Sequence, residues 1–547
     1  MSADLRTSSA RGRGVLAATV LGSGMVFLDG TIVNVATKHI GQDFHAGFAA
    51  LQWVLDAYLL TLASLILLGG SLGDRFGRRR IFLTGTVWFA AASLACALAP
   101  NVAVLVGARA LQGVGGALLT PGSLAIISAS FHPEDRAKAI GAWSGLSGVS
   151  TALGPLLGGW LVQDVSWRWA FAINVPLAVA VLVLGLRFVP ESRAERSAGR
   201  PDAAGTLLVA GALALLTFGT TQAGTAGWST LTLATVAGGL VLAAAFVLVE
   251  RRAREPLVPL RLFGNRAFSG TNVMTLLTYA ALGAVLFVLV LHLQVSAGYG
   301  ALAAGLSTLP ITAVLLLFSA RSGALAARIG PRPQLIAGPL LAAAGLVLTL
   351  RIDASHRSYL LDVLPGVLLF GLGLTTLVAP LTATVMSTAP ADEVGIASGV
   401  NNAVSRIGSL LAIAVLPPLA GLHGEAYRQV PVMVHGYRVV ALCCVGLLAG
   451  AALVVALTVP SQLAKGRTPV DDKTILEHIH DLVEEEKQLR GGGHGLAGTQ
   501  RRRLESLEQQ LDQAWDLLRQ RRAREDTGED PDAAEERTVD DVESYLQ

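Results

Sequence analysis

The sequence predicts an all-α polytopic membrane protein. It would have two six-helix bundles, two further membrane-spanning helices between them, and a soluble helical hairpin at the C-terminus. Three observations carry this. The 547 residues are 52% apolar and 15% charged, with mean hydropathy +0.56, whereas a soluble protein carries about a quarter charged residues. Fourteen apolar runs are each long enough to cross a ~30 Å hydrocarbon core. A glycine–arginine spacing recurs at an offset of 253 residues.

The first run, 14–36, follows Arg6, Arg11 and Arg13 and lacks a small-x-small cleavage site, so it reads as an uncleaved helix and not a signal peptide. Runs 51–70 and 81–99 flank GGSLGDRFGRRRIFLTG, Gly69 to Gly85. Asp74, Arg75, Arg78, Arg79 and Arg80 cannot sit in hydrocarbon, so this strip is a tight polar hairpin. Gly69, Gly70, Gly73 and Gly77 let the chain turn sharply there. Runs 102–124, 138–163 and 169–189 complete a first bundle over 14–190. Runs 203–222 and 231–249 form a linker pair within 200–250. Runs 268–292, 303–325, 334–352, 361–386, 395–420 and 437–459 form a second bundle over 265–460.

An even number of spans puts both ends on one side, and the loop charges say which. One set of loops holds Arg75/Arg78/Arg79/Arg80, Arg136/Lys138, Arg187/Arg193/Arg196/Arg200, Arg251/Arg252/Arg254/Arg261/Arg266 and Arg328/Arg332. The other holds only Lys38, Arg168, Arg351, Arg357, Arg428 and Arg438. Cytoplasmic loops carry the excess of Lys and Arg, so both termini are expected in the cytoplasm, with the chain in the cell's inner membrane. The loop Pro390–Glu393 has neither residue; the rule holds in sum.

The repeat aligns SGALAARIGPRPQLIAG, Ser322 to Gly338, with the hairpin: Gly70/Gly323, Leu72/Leu325, Arg75/Arg328, Gly77/Gly330 and Arg79/Arg332. Ala327 stands where Asp74 does. The offset exceeds six helices by about one helical hairpin, which the linker pair fills. Such symmetry implies a transporter with substrate held between halves.

From Asp471 the chain turns polar. Residues 471–547 hold 11 Lys+Arg against 21 Asp+Glu, net −10, while the rest carries net +13. Ile475, Ile479, Leu482 and Leu489, then Leu504, Leu507, Leu511, Trp515 and Leu518, recur at helical spacing around GGG at 491–493. They predict an antiparallel cytoplasmic hairpin. Its stripes pair with each other, within one chain or a dimer, or dock on a protein partner. The stretch Glu525–Glu536 is polar. Cys96, Cys443 and Cys444 all lie in apolar runs with no ligand spacing around them. They read as structural and reduced, and no metal site is expected.

An ionisable group in a spanning helix costs at least ~2.5–3.5 kcal/mol on insertion scales, so each needs a reason. Asp29 in the first run and Arg109 in the fourth each lie seven residues from the outer end, about 10 Å deep at 1.5 Å per residue. Matched depth allows an ion pair. It is either a structural tie or a switch in which Asp29 gains and loses a proton. Asp56 is either an interfacial residue or a second proton-handling carboxylate. Arg321 and Arg406, placed nearer the cytoplasmic ends of their helices, read as snorkelling or structurally paired. Trp53, Tyr58, Gln112, His292, Gln294, Asn401 and Asn402 are candidate lining groups for a substrate cavity, or ordinary helix–helix hydrogen-bonding residues. In the fifth run, Gly154, Pro155, Gly158 and Gly159 predict a kinked helix packed very closely on a neighbour.

These motifs resemble the major facilitator superfamily, and within it the fourteen-helix drug:proton antiporter branch of QacA/EmrB type. GSLGDRFGRRR is similar to the signature loop after helix two, LDGTIVNVA to the helix-one motif, ARALQGVGGA to the helix-four motif and GPLLGGWL to the antiporter motif of helix five. HLQVSAGYGALAAGLSTLP fits the branch pattern entering helix ten, and the whole resemblance covers about 14–460. It implies the MFS fold. It also implies that Asp74 with Arg75 and Arg78 forms a charge relay latching the bundles, supported by Gly70, Gly77 and Arg79. Arg109 would centre proton coupling with Asp29 as partner, Asp56 would lie near the cavity, and Gly154 and Pro155 would keep the exchanger tight. There are departures: Ser150 replaces the antiporter motif's usual glycine, Thr37 and Lys38 replace the usual Leu-Pro, and Asn401 and Asn402 stand where some exporters of dicationic drugs carry acids. The tail resembles a small actinobacterial domain of unknown function through DDKTILEHIHDLVEEE, LESLEQQLDQAWDLLRQRRA and VESYLQ.

The expected function is proton-driven export of hydrophobic or amphipathic compounds. Alternatives are export of one endogenous product (an antibiotic, siderophore or lipid) and a transporter-like receptor or scaffold. Substrate, protons and the lipid bilayer are the partners, with no nucleic acid and no cofactor beyond the proton gradient. No nucleotide loop, metal cluster or nucleophile–base pair points to an enzyme, and the glycines of Gly69–Gly77 lack the strand context of phosphate loops.

Overall fold

In the computed structural model the described residues are 5–193, 202–253, 256–390, 393–460, 472–490, 498–526 and Ala534. The chain divides into two compact units, Met1–Ala464 and Lys465–Gln547. Fourteen helices of the first unit are long and apolar enough to cross a membrane. Hydrocarbon offers the backbone no hydrogen bonds, so apolar spans satisfy themselves as helices.

The first six are α1 (Ala10–Asp43), α2 (Phe48–Phe76), α3 (Arg78–Ala97), α4 (Val102–Ser130), α5 (Pro133–Trp160) and α6 (Trp169–Phe188). The linker pair is α7 (Ala203–Ala226) and α8 (Thr230–Arg252). The second six are α9 (Arg266–Val295), α10 (Ala301–Ile329), α11 (Pro331–Thr349), α12 (Tyr359–Ser387), α13 (Val394–Leu419) and α14 (Val430–Thr458). Side-chain caps begin several of them: Ser9 accepts from Gly12, Asn101 from Val104, Asp202 from Gly205 and Asn265 from Ala267.

Several spans run past their sequence-based limits, α1, α2, α4 and α14 by six residues or more at one end. α1 continues to Asp43, so Thr37 and Lys38 are helical and not in a loop. No proline stops the helix there, and the Lys38 amine donates to the Gln294 carbonyl at 2.8 Å. α14 starts at Val430, and Arg438 within it donates to the Leu350 carbonyl at 2.9 Å. An amphipathic cation extends a helix beyond the apolar run when its head reaches an acceptor.

The repeat is visible in the backbone. Gly77 (φ 111°) ends α2 and begins α3, and Gly330 (φ 88°) does the same between α10 and α11. Both occupy the left-handed region that favours glycine. The repeated arginine serves the same purpose in each half. Arg79 donates to Leu186 O near the end of α6 at 2.9 Å, and Arg332 donates to Ala456 O near the end of α14 at 2.8 Å.

The linker helix α7 packs on α2 and α13, where Ala63, Leu213 and Leu410 form a small buried cluster. In α8 only 11% of the most apolar stretch is buried.

In the second unit, α15 (Asp472–Arg490) and α16 (Gly498–Asp526) pair through Ile475, Ile479, Leu482, Leu507, Leu511, Ala514 and Leu518. Ion pairs Arg503–Glu485, Arg490–Glu508 and Arg521–Asp472 flank the seam. The stripe differs from expectation at two places: Leu504 lies outside the buried cluster, and Trp515 is 44% exposed while Ala514 takes its position in the core. Residue 514 keeps the i, i+3, i+4, i+7 face that 515 leaves. Arg196, Arg200, Arg254, the GGG connector and the terminal VESYLQ lie outside the described residues, as does most of Glu525–Glu536.

Candidate functional site

A buried polar cluster lies inside the first six helices. Asp29 on α1 and Arg109 on α4 are both 0% exposed and form an ion pair at 2.5 Å. The Asp29 carboxylate accepts further bonds from Gln112 Nε2 at 2.8 Å and Asn174 Nδ2 at 3.0 Å. The same Arg109 nitrogen donates to Gln112 Oε1 at 2.6 Å, and its Nε donates to the Val54 carbonyl of α2 at 2.9 Å. Gln112 and Asn174 both reach the Ser93 hydroxyl of α3, at 2.8 and 3.3 Å. The Arg109 guanidinium lies 4.2 Å from the centre of the Tyr58 ring. Five of the six helices of this half therefore meet on one carboxylate–guanidinium pair. A buried charge is tolerated where it is paired and hydrogen-bonded, as both charges are here.

α1, which carries Asp29, and α2, whose Val54 carbonyl holds Arg109, also form the seal. At the end away from the Gly69–Gly85 hairpin the two halves are bonded to each other. Gln294 Nε2 donates to Val35 O at 3.2 Å, Arg428 to Gly41 O at 2.8 Å and Gln52 to Ile413 O at 2.6 Å. The Phe48 amide donates to Gly424 O at 2.8 Å, with the Phe48 ring against Phe287 and Tyr427. The molecule is closed at that end.

At the hairpin, Arg78 grips Asp74 at 2.8 Å within the loop, while Arg75 lies over the ring of its neighbour Phe76. Glu191, just past α6, accepts the backbone N–H groups of Arg79 and Arg80 at 3.1 and 3.2 Å. Gly77 precedes α3 and has no side chain to cap it, so this carboxylate does so. A Cβ on Gly77 would sit 2.7 Å from the Glu191 carboxyl group. Gly70 lies in the last two turns of α2, where a Cβ would meet only Pro121 at 3.6 Å.

α5 has Pro155 inside it and ends in a π-helical turn, Leu161–Val165. Its glycines face two neighbours. Gly154 and Gly158 lie against Thr31 and Ile32 of α1. A Cβ on Gly159 would come within 2.6 Å of Leu302 Cα, and Gly305 meets the Pro155 carbonyl as closely, both across the boundary between halves.

The remaining candidates scatter. Trp53 packs its ring on Phe218 of α7, 6.4 Å between centres. His292 is fully buried, stacked on Tyr437 at 4.3 Å and bonded to Ile352 O at 3.0 Å. Asn401 joins α13 to α9 through Asn272 at 3.2 Å and Thr275 at 2.7 Å, while Asn402 is exposed. Gln294 belongs to the seal. Asp56 is fully buried, and neither carboxyl oxygen has a hydrogen-bond partner. Among the described residues no cluster of His, Cys, Asp and Glu could hold a metal.

Sequence reasoning missed Ser93, Asn174 and Glu191. Asn174 was legible as the lone amide in the apolar FAINVPLAVAV. Ser93 was not, because an isolated serine in a helix usually bonds its own backbone.

Two repeated six-helix halves joined by a linker pair, sealed at one end around a buried charge pair, define a polytopic carrier. The chain belongs to the Major Facilitator Superfamily, which it matches over residues 19–413. Residues 471–547 match a protein family of unknown function (DUF2630). The chain is 40% identical to the tetracenomycin C resistance and export protein of Streptomyces glaucescens, over 75% of this chain and 76% of that one. It is 38% identical to the multidrug resistance protein Stp of Mycobacterium tuberculosis, over 73% and 74%. Among solved structures it is similar to a bacterial homologue of the human lysosomal transporter Spinster in an inward-facing, unoccupied conformation. There the TM-score is 0.60 at 18% identity, over 84% of this chain and 99% of that one.

Proposed function

We propose that this carrier exports hydrophobic or amphipathic compounds across the cytoplasmic membrane in exchange for protons, with both termini in the cytoplasm. The observation that carries the reading is the fully buried Asp29–Arg109 pair, on which five helices of one half converge. Protonating Asp29 removes the anion that Arg109, Gln112 and Asn174 all serve. Arg109 is tied to Val54 O, two residues from Gln52, which bonds across to Ile413. Asp29 and Val35, whose carbonyl Gln294 holds, are on the same helix. Loss of the charge pair is thus positioned to loosen α1 and α2 at the seal, opening the carrier away from the hairpin. Asp56, fully buried on α2 with neither carboxyl oxygen hydrogen-bonded, is the second proton-handling carboxylate in this reading.

In the open-out state Asp74 exchanges its bond with Arg78 for a latch across the halves; here it is held within the loop. The proton gradient drives the cycle, with no cofactor. The tail self-associates or binds a protein partner. A narrower reading, export of a single endogenous product, is favoured by the relative described as exporting tetracenomycin C. Efflux of a panel of lipophilic dyes from a sensitive host, with and without a protonophore, tests the proposal. Protonophore-sensitive efflux of several dyes is expected. Efflux of none selects the narrower reading, and efflux that survives the protonophore contradicts proton drive.

A further inference from the structure

Arg406 lies farther from its helix ends than any other arginine described inside the spans. It lies at the midpoint of α13, twelve residues from Val394 and thirteen from Leu419. Snorkelling to an interface is therefore out of reach: at 1.5 Å per residue the nearer end is about 18 Å away along the axis. Pairing fails too. Arg109 has Asp29 and Arg438 has Leu350 O, while Arg321, equally without an acceptor, is exposed only eight residues from the end of α10. Among the described residues Arg406 has no hydrogen-bond acceptor and no carboxylate. Its guanidinium faces the ring of Phe27 on α1, 5.8 Å from the ring centre and in the opposite half of the molecule. It is partly open to solvent, and so is Phe27. Tyr279 on α9, whose carbonyl accepts from Ser409 three residues on from Arg406, is partly exposed as well. Asn402, one turn earlier on the same face of α13, is exposed and carries a free amide. A guanidinium left unpaired at mid-membrane is too costly to be incidental.

We propose that Arg406 anchors an acidic oxygen group, a carboxylate or ionised phenol or enol, on the transported compound, whose apolar or aromatic body lies along Phe27 and Tyr279. The carrier is then selective for amphipathic organic anions. This rests on the export reading above and adds the substrate's charge to it. The site takes contributions from both halves, α9 and α13 on one side and α1 on the other, so an occupant there contacts the helix that carries Asp29. Asn401 and Asn402, neutral where an acid would compete for Arg406, leave the guanidinium free for a ligand.

The test is equilibrium binding to the purified full-length protein in nanodiscs, by fluorescence anisotropy. The probes are two xanthene dyes of matched size, the anion fluorescein and the cation rhodamine 6G. The wild type should bind fluorescein at least about tenfold more tightly than rhodamine 6G, the scale expected for one desolvated charge contact. Arg406→Gln should lose that preference and Arg406→Lys should keep part of it. Asn402→Asp, at an exposed position that threatens no packing, should weaken fluorescein binding about tenfold by supplying Arg406 with an internal carboxylate. Equal affinity for the two dyes in the wild type, at any level including none, overturns the proposal. So does a preference that survives both Arg406→Gln and Asn402→Asp. Binding needs no proton flux: anion selectivity without protonophore-sensitive efflux would sink the coupling and leave this site standing, and the converse result would do the opposite.

Discussion

At the scale of single residues, the first half is organised by hydrogen bonds to one carboxylate. Asp29 takes donors from Arg109, Gln112 and Asn174, on two different helices. Asn174→Leu removes a donor from Asp29 and another from Ser93 in a site closed to water, so it should cost about 1–3 kcal/mol. Thermal unfolding of the purified protein would show this as a lowered midpoint; an unchanged midpoint would mean the amide is dispensable. Asp29→Ala leaves Arg109 buried without a counter-charge and should cost about 3–5 kcal/mol. Asp29→Asn keeps the shape and most of the hydrogen bonds and should fold.

At the scale of elements, two close approaches matter most. Gly77 combines a left-handed backbone with a neighbour that leaves no room, so Gly77→Ala should cost about 1–2 kcal/mol from backbone strain alone. It should also push Glu191 off the start of α3. Gly159→Val drives a side chain into Leu302 across the boundary between halves. It should let protons leak through vesicles that hold the protein, seen as faster decay of an imposed pH gradient with no substrate present.

These elements also show how far sequence reasoning reached. The hairpin, its repeat 253 residues later and the tight face of α5 were legible, because glycine, proline and clustered arginine in an apolar chain leave few alternatives. The partners were not. Trp53 turned out to face the linker helix and His292 the core of the second half. An apolar helix without an amphipathic stripe does not announce which side faces a cavity. Arg406 was misread for the same reason: its depth was visible, but not the absence of any partner.

At the scale of the whole molecule, the seal shares α1 with Asp29 and α2 with the Val54 carbonyl that holds Arg109, while the hairpin face is stitched separately. Cross-linking Val35→Cys to Gln294→Cys in a Cys443→Ser background should lock the closed end and stop transport, with recovery on reduction. The tail forms its own compact unit with its own core. Removing residues 471–547 should leave the transport rate unchanged within about twofold in proteoliposomes.

The central claim is that titration of one carboxylate drives substrate across the membrane. Full-length protein in proteoliposomes, loaded with a pH dye and given a pulse of a transported compound, addresses it directly. The wild type should show substrate-driven proton movement, and Asp29→Asn should show none while still binding the compound. Proton movement at the wild-type rate in Asp29→Asn would contradict it.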